Sequence, residues 1–136
     1  GIEYYFVYMT GLAGKGGGYR NAVNSAALFS QLNPYFLSVD SLTLFADTAL
    51  YQLAQQGLFV PAGEKERILE LQLFISKLHI RTHLLANTVS NFVPVTAYLP
   101  YDRKKVINEL QFVLDHTDEL AMQEYRKNLT SLGISG

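Results

Sequence analysis

The chain of 136 residues contains no cysteine, which excludes a disulfide scaffold, thiol catalysis and thiolate metal sites. Its net charge is also small, because 11 lysines and arginines nearly balance 12 aspartates and glutamates. Nucleic-acid-binding domains normally carry an excess of basic residues, so we expect no nucleic-acid partner. Apolar runs are short, and none approaches the roughly 18 residues that indicate a transmembrane helix. The 49% of hydrophobic residues is enough for one folded domain with its own core.

The first 18 residues differ in composition from the remainder of the chain. Ile2–Thr10 is rich in aromatic and β-branched residues, which favour extended backbone. Residues 11–18 then contain five glycines in eight positions, and glycine loses much conformational entropy when it is ordered. Because a lone strand cannot form a sheet, we predict that residues 1–18 form an extended arm. The arm either folds back on the rest of the domain or is buried against a partner.

Residues 19–136 show helical periodicity in four segments. These segments are 19–32, 41–56, about 64–92 and about 102–132. The capping signals agree with these bounds, with Asp40 and Asp102 as N-caps and Gly57 and Gly133 as stops. The third segment carries a seam of apolar residues at three-, four- and seven-residue spacing: Leu71, Ile75, Leu78, Leu85, Val89 and Phe92. The pattern predicts an all-α fold, an antiparallel up-down four-helix bundle with an extended, glycine-rich N-terminal arm.

The glycine-rich segment does not match the known phosphate-binding patterns. A Walker loop requires serine or threonine after Gly-Lys, whereas Gly14-Lys15 is followed by Gly16. The dinucleotide pattern requires a third glycine where Tyr19 stands, and no alternating strands are predicted. We therefore expect a flexible linker. Because no Gly-x-Ser-x-Gly elbow is present either, we predict that the chain is not an enzyme.

Two histidines are spaced for a metal site on the predicted third helix. His79 and His83 lie four residues apart, so their rings would share one face, and His116 on the fourth helix could add a third ligand. Both histidines flank the apolar seam, which favours an exposed pair without a metal. Binding of a metal or small ligand through His79 and His83 is nevertheless an alternative function.

The segment 99–110 (LPYDRKKVINEL) resembles the segment that opens the last helix of the PsbQ family. Members of that family are extrinsic proteins of photosystem II, in which a proline, acidic residues, a Lys-Lys pair and Glu-Leu recur at similar spacing. Asp118-Glu119-Leu120 is similar to an acidic cluster further along the same helix. The predicted helix that carries Arg81 and ends near Phe92 matches the family's third helix in length and place. The resemblance covers residues 64–132 and implies a four-helix bundle.

The resemblance implies a non-catalytic subunit, without a cofactor, on the lumenal side of photosystem II. Such a subunit would be peripheral to the thylakoid membrane, would contact the photosystem II core and other extrinsic subunits, and would stabilise the manganese-calcium cluster. A chain that begins at Gly1 without methionine fits a protein from which a lumenal targeting peptide has been cleaved. From exposure and charge we predict these partner contacts: Tyr4, Tyr5, Tyr8, Lys15, Tyr19, Arg20, Arg103, Lys104 and Lys105. An unrelated protein-interaction domain, docking through its arm, is a further alternative.

Overall fold

Four segments in which buried and more exposed residues alternate form a β-sheet. The computed structural model describes residues 5–133, and the fold is mixed α/β. The strands are β1 (Tyr5–Thr10), β2 (Phe36–Ser41), β3 (Thr82–Ala86) and β4 (Val95–Leu99). The helices are α1 (Gly18–Leu32), α2 (Ala49–Gln55), α3 (Glu64–Lys77), α4 (Arg103–His116) and α5 (Glu119–Leu132). No helix within residues 5–133 is both long enough and apolar enough to cross a membrane.

The four strands lie in chain order across the sheet. β1, β2 and β3 are parallel, and β4 returns antiparallel beside β3. The register places Tyr5 opposite Phe36, Phe36 opposite His83, and His83 opposite Tyr98. One row of side chains therefore crosses all four strands on the same face.

The helices cover the other face of the sheet. The β1–α1–β2 and β2–α3–β3 crossovers progress in the same direction across the sheet, and the right-handed rule for such crossovers places α1 and α3 on one side. α1 packs against α3, α3 against β1, and α4 against both α3 and β4. Between the helices and the sheet lies a core that includes Leu37, Val39, Phe74, Leu84, Leu99, Leu110 and Met122, all fully buried.

The predicted four-helix bundle is wrong, and the third segment shows why. α3 ends at Lys77, and the chain then forms β3 and β4 rather than continuing as a helix to Phe92. Along β3, the buried residues Thr82, Leu84 and Ala86 alternate with more exposed ones, which is the period of a strand. The heptad seam extended into this region because apolar residues there also fall at helical spacings.

The second and fourth predicted helices also differ from the structure. Asp40 lies within β2 and is not an N-cap; α2 instead begins after Thr48, whose side chain accepts a hydrogen bond from the Tyr51 N–H. The predicted helix 102–132 is divided at Thr117 into α4 and α5. The second of these has its own N-cap, since the Asp118 carboxylate accepts from the Ala121 N–H at 2.8 Å. Only the first predicted helix, 19–32, matches an observed helix nearly residue for residue.

The N-terminal segment is not a separate arm. Residues 5–10 form β1, which pairs with β2 over its full length. A lone strand cannot form a sheet, but β1 is not alone, because the segment that we predicted to connect the first two helices forms its partner strand β2. The side chains of β1 accordingly divide between two environments, with Tyr8 in the core and Tyr5 on the open face.

Replacement of Phe74 by alanine should test the core. The Phe74 ring is fully buried and stacks on the Tyr8 ring with 4.1 Å between centroids. We expect Phe74→Ala to lower the free energy of unfolding by about 3–5 kcal/mol, because a large cavity would remain. The matched control is Phe112→Ala on α4, where the ring is 61% exposed and the loss should stay below about 1 kcal/mol. Urea denaturation measures both, and equal losses would contradict this core.

Candidate functional site

One face of the sheet is left open by the helices. Ten side chains point outward from it: Tyr5, Val7, Met9, Phe36, Ser38, Asp40, His83, Leu85, Thr96 and Tyr98. Tyr5 is 63% exposed and Val7 is 50% exposed, so no part of residues 5–133 covers this end of the sheet. We call these ten residues the open face.

Aromatic rings form a row of two contacting pairs across the open face. Tyr5 lies 5.2 Å from Phe36 between ring centroids, and His83 lies 4.6 Å from Tyr98. Two further tyrosines extend the surface at its rim, since Tyr35 contacts His83 at 5.4 Å and Tyr101 stacks on Tyr98 at 5.4 Å. The result is an exposed aromatic surface that spans the full width of the sheet.

The open face carries almost no charge. Asp40 is the one acidic residue among its ten side chains, and lysine and arginine are absent from it. The Asp40 carboxylate accepts a hydrogen bond of 2.8 Å from the Thr88 hydroxyl, so it already has a partner. All-parallel sheets are almost always covered on both faces, and three of the four strands here are parallel. A neutral, aromatic and uncovered face on three parallel strands is therefore a candidate binding surface.

The glycine-rich segment is a structured connection between β1 and α1, and the flexible linker that we predicted is not observed. Gly11, Gly14 and Gly16 each have φ near +80°, a conformation that side-chain-bearing residues rarely adopt. The Gly14 N–H donates to the Gly11 carbonyl, and the Lys15 N–H donates to the Val60 carbonyl at 2.7 Å. The parallel β1–α1–β2 arrangement, which we did not predict, is the setting in which other proteins bind phosphates.

The protein's own carboxylates occupy this loop. The Gly16 N–H donates to Glu66 Oε2 at 2.8 Å, and the Gly11 N–H donates to Glu70 Oε1 at 3.0 Å. Gly18, the first residue of α1, lies against both carboxylates. A phosphate here would meet two negative charges in place of free N–H groups. The geometry therefore does not favour a nucleotide site, even though the parallel strands that accompany such sites are present.

Glu70 also joins the loop to the core through Tyr8. The Tyr8 hydroxyl donates to Glu70 Oε2 at 2.5 Å, and the Asn21 amide donates to the same oxygen at 3.1 Å. Burial, reinforced by the hydrogen bond to Glu70 and by its negative charge, raises the pKa of Tyr8 well above the ordinary 10.0. Tyr8 therefore stays protonated and remains a donor to the carboxylate.

The raised pKa of Tyr8 predicts a loss of stability in alkali. Above pH 10, Tyr8 in the unfolded chain loses its proton while the folded protein keeps it, so the free energy of unfolding should fall by up to about 1.4 kcal/mol per pH unit. In Tyr8→Phe this contribution disappears. Urea midpoints measured between pH 9 and 11 should therefore fall more steeply for the parent than for Tyr8→Phe. Identical pH slopes would contradict the assignment.

An ion cluster lies at the carboxyl edge of the parallel strands. Glu64 pairs with Arg126 at 2.8 Å and with Arg67 at 3.4 Å. Both guanidinium groups also donate to the Ser41 hydroxyl at 3.1 Å, and Arg126 donates to Thr43 at 2.7 Å. Burial lowers the pKa of Arg67, while the Glu64 charge opposes that shift. The adjoining cavity of about 20 Å³ has room for about one water molecule and is too small for a larger ligand. We therefore infer that this cluster stabilises the fold.

Removal of the Glu64 charge should measure how much the ion cluster contributes to the stability of the fold. Glu64→Gln keeps the shape of the side chain but removes the carboxylate with which both Arg67 and Arg126 pair. Because buried charge is then left without its partner, the free energy of unfolding should fall by about 3 kcal/mol or more. Glu109→Gln is the matched control, because Glu109 is exposed on α4 and makes no ion pair with described residues. Thermal and urea unfolding measure both variants. A loss no greater than that of the control would show that the cluster contributes little.

The predicted histidine pair does not exist as a helical site. His79 follows the end of α3, whereas His83 lies on β3 within the open face. His116 lies at the end of α4, where its ring stacks on Phe112. Across residues 5–133, no group of three or more potential ligands is placed to hold a metal ion. The pairing failed because the helix on which it depended ends at Lys77.

The residues predicted to contact a partner from the N-terminal segment are divided by the fold. Tyr5 belongs to the open face, whereas Tyr8 is buried in the core. Lys15, Tyr19 and Arg20 are exposed together beside the glycine loop, away from the aromatic row. Tyr4 lies outside the described residues.

The basic residues at the start of α4 also take different positions. Arg103 donates hydrogen bonds to the carbonyls of Ile75 and Leu78 at the end of α3, at 3.2 and 2.5 Å. This contact suits the negative end of the α3 dipole and gives Arg103 an internal role. Lys104 and Lys105 are exposed and stay candidates for a partner contact.

Most of the open face was missed from the sequence. Phe36, Leu85 and Tyr98 were placed in a loop or on helices, so they did not appear as surface residues. The signal was present as alternation: Thr96 and Tyr98 are exposed between the buried residues Val95, Ala97 and Leu99.

No family model, curated protein or solved structure matches this chain. The resemblance to the PsbQ family therefore stays a prediction, without support from a relative. A function for the chain has to be argued from its own surface.

Proposed function

We propose that this chain is an assembly domain that binds another protein on the open face of its sheet. The observation that carries the proposal is the aromatic row Tyr5, Phe36, His83 and Tyr98 on the open face of a sheet whose first three strands are parallel. Sheets made only of parallel strands are normally covered on both faces, and here the helices cover one face of a largely parallel sheet. A partner layer on the other face would complete the arrangement.

The chemistry of the open face favours a protein partner with an apolar, uncharged surface. Tyrosine and phenylalanine are enriched at protein interfaces, and charged residues are depleted at their centres. The open face has both properties. It offers no basic side chain to a phosphate backbone or an anionic membrane. Tyrosine rings also bind with little loss of conformational freedom, which suits them to be hot spots.

The dimensions of the open face set a condition on the partner. Four strands spaced about 4.8 Å apart and about 17–20 Å long give a projected area of roughly 350 Å². A standard interface buries about 800 Å² of accessible surface on each partner. The partner must therefore also contact the rim, where Tyr35 and Tyr101 are both more than half exposed.

Docking on another protein is the feature that this proposal shares with the PsbQ resemblance. The four-helix bundle implied by that resemblance is wrong, so the open face supports docking independently of it. The photosystem II partners, the lumenal location and the absence of catalysis stay predictions.

Site-specific photocrosslinking tests the proposal in cells of the native source. Benzoylphenylalanine would replace either Tyr98 on the open face or Phe112 on α4, since both positions carry a surface aromatic ring. We expect one dominant crosslinked protein from position 98, none from position 112, and loss of the product when Leu85→Asp places a charge in the middle of the open face. Products from both positions, or a second copy of this chain as the product, would contradict docking of a different protein.

Affinity measurements with the purified partner identified in this way complete the test. Tyr98→Ala should weaken binding at least about tenfold, as removal of a hot-spot tyrosine does. Phe112→Ala should leave the dissociation constant unchanged. Equal effects of the two variants would show that the crosslink did not report the docking surface.

A further inference from the structure

A groove of about 580 Å³ lies on the outer surface of α3, between the start of α1 and α4. It shares no residue with the open face, so a ligand bound in the groove is independent of the docking proposal. Its volume lies within the range of small-molecule sites. The apolar walls are formed by Leu69 and Leu73 of α3 and by Ile107 of α4. The groove could therefore take the apolar body of a small ligand.

Two carboxylates stand at one end of the groove, and only that of Glu66 has an oxygen left without a donor among residues 5–133. Glu66 Oε2 accepts from the Gly16 N–H at 2.8 Å, and its other oxygen has no hydrogen-bond donor among residues 5–133. Glu70 is buried beside it, held by Tyr8, Asn21 and the Gly11 N–H. Both ion pairs of residues 5–133 use Glu64, so neither Glu66 nor Glu70 forms one there, although the Arg67 charge acts on the buried Glu70. This end of the groove is complementary to a positive charge.

An aromatic ring stands at the same end. Tyr19 lines the groove together with Gly16 and Glu66. Its side chain is 72% exposed, and its ring stacks on no other ring in the described structure. The face of an aromatic ring attracts an ammonium group, and the attraction adds to that of a nearby carboxylate. The acidic end of the groove thus offers both groups that recognise an organic cation.

We propose that this groove binds a small primary amine with an apolar body. The ammonium group lies between the Glu66 carboxylate and the Tyr19 ring, and the body lies along Leu69, Leu73 and Ile107. Positions 66 and 73 are seven residues apart on α3, which corresponds to about 10 Å along the helix. A phenyl ring joined to an amine by four methylene groups has about this length.

Titration of the full chain with 4-phenylbutylamine, followed by ¹H–¹⁵N NMR, tests the proposal. For a ligand of this size we expect a dissociation constant of about 0.1–1 mM and shifts at the amides of Gly16, Leu69 and Ile107. The neutral analogue 4-phenylbutan-1-ol should bind at least about fivefold more weakly, because it lacks the charge. Equal affinities, or shifts confined to the open face, would overturn the proposal.

Charge-removing variants locate the cation. Glu66→Gln keeps an oxygen for the Gly16 N–H, and it should weaken amine binding about tenfold while leaving alcohol binding unchanged. Glu109→Gln, on the exposed side of α4 outside the groove, is the matched control and should change neither affinity. Equal amine affinities in the two variants would overturn the assignment of Glu66.

A second variant keeps the test decisive if Glu66→Gln does not fold. Tyr19 is exposed, so Tyr19→Ala should retain the helical circular dichroism of the parent chain. It should weaken amine binding about threefold and alcohol binding less, which is the effect of losing one cation–π contact. An unchanged amine affinity in Tyr19→Ala would contradict the position of the ammonium group.

Discussion

The right-handedness of parallel crossovers is the constraint on which the rest of this structure depends. Two successive crossovers, through α1 and α3, advance in the same direction across the sheet, so both helices must lie on one face. That face is buried in an apolar core, and the opposite face is left with the aromatic row of Tyr5, Phe36, His83 and Tyr98. The open face is therefore a consequence of the topology, and its aromatic, nearly neutral composition makes it suited to a partner.

Carboxylates near the start of α3 organise the other side of the molecule. Glu64 gathers two arginines at the carboxyl edge of the strands, whereas Glu66 and Glu70 hold the glycine loop through its N–H groups. The first two turns of one helix thus support the end of the sheet and fix the β1–α1 connection. The Glu66 carboxylate also lines the head of the groove without an ion pair to any of residues 5–133. The glycine loop follows a parallel strand, as phosphate-binding loops do, but its Gly11 and Gly16 N–H groups already donate to Glu70 and Glu66 and do not face a phosphate.

The helical parts of the fold were predictable where the local signal was strong. The first predicted helix matches α1, and Pro61–Gly63 with Glu64 correctly indicated the start of α3. β1 was predicted as extended backbone, but its partners were not recognised. β3 was missed because Leu85 also fits the heptad seam, and β2 and β4 because they fall between predicted helices. Strand pairing depends on contacts that are distant in sequence, as Tyr8 beside Val39 shows, so no local window could reveal it. The candidate site was the least predictable part of the structure, since Phe36, His83 and Tyr98 come to lie on one face only once the sheet has formed.

The sequence by itself determined the absence of thiol chemistry, the near balance of charge, the position of α1 and the unusual aromatic content of the first ten residues. These are properties of composition and of neighbours within a few positions of one another. Only the tertiary structure decided that Tyr5 is exposed while Tyr8 is buried, that the glycine loop is held by Glu66 and Glu70, and that one face of the sheet is open. Each of these depends on pairing between segments that are distant along the chain, because a side chain's burial and partners are set by the elements that pack around it.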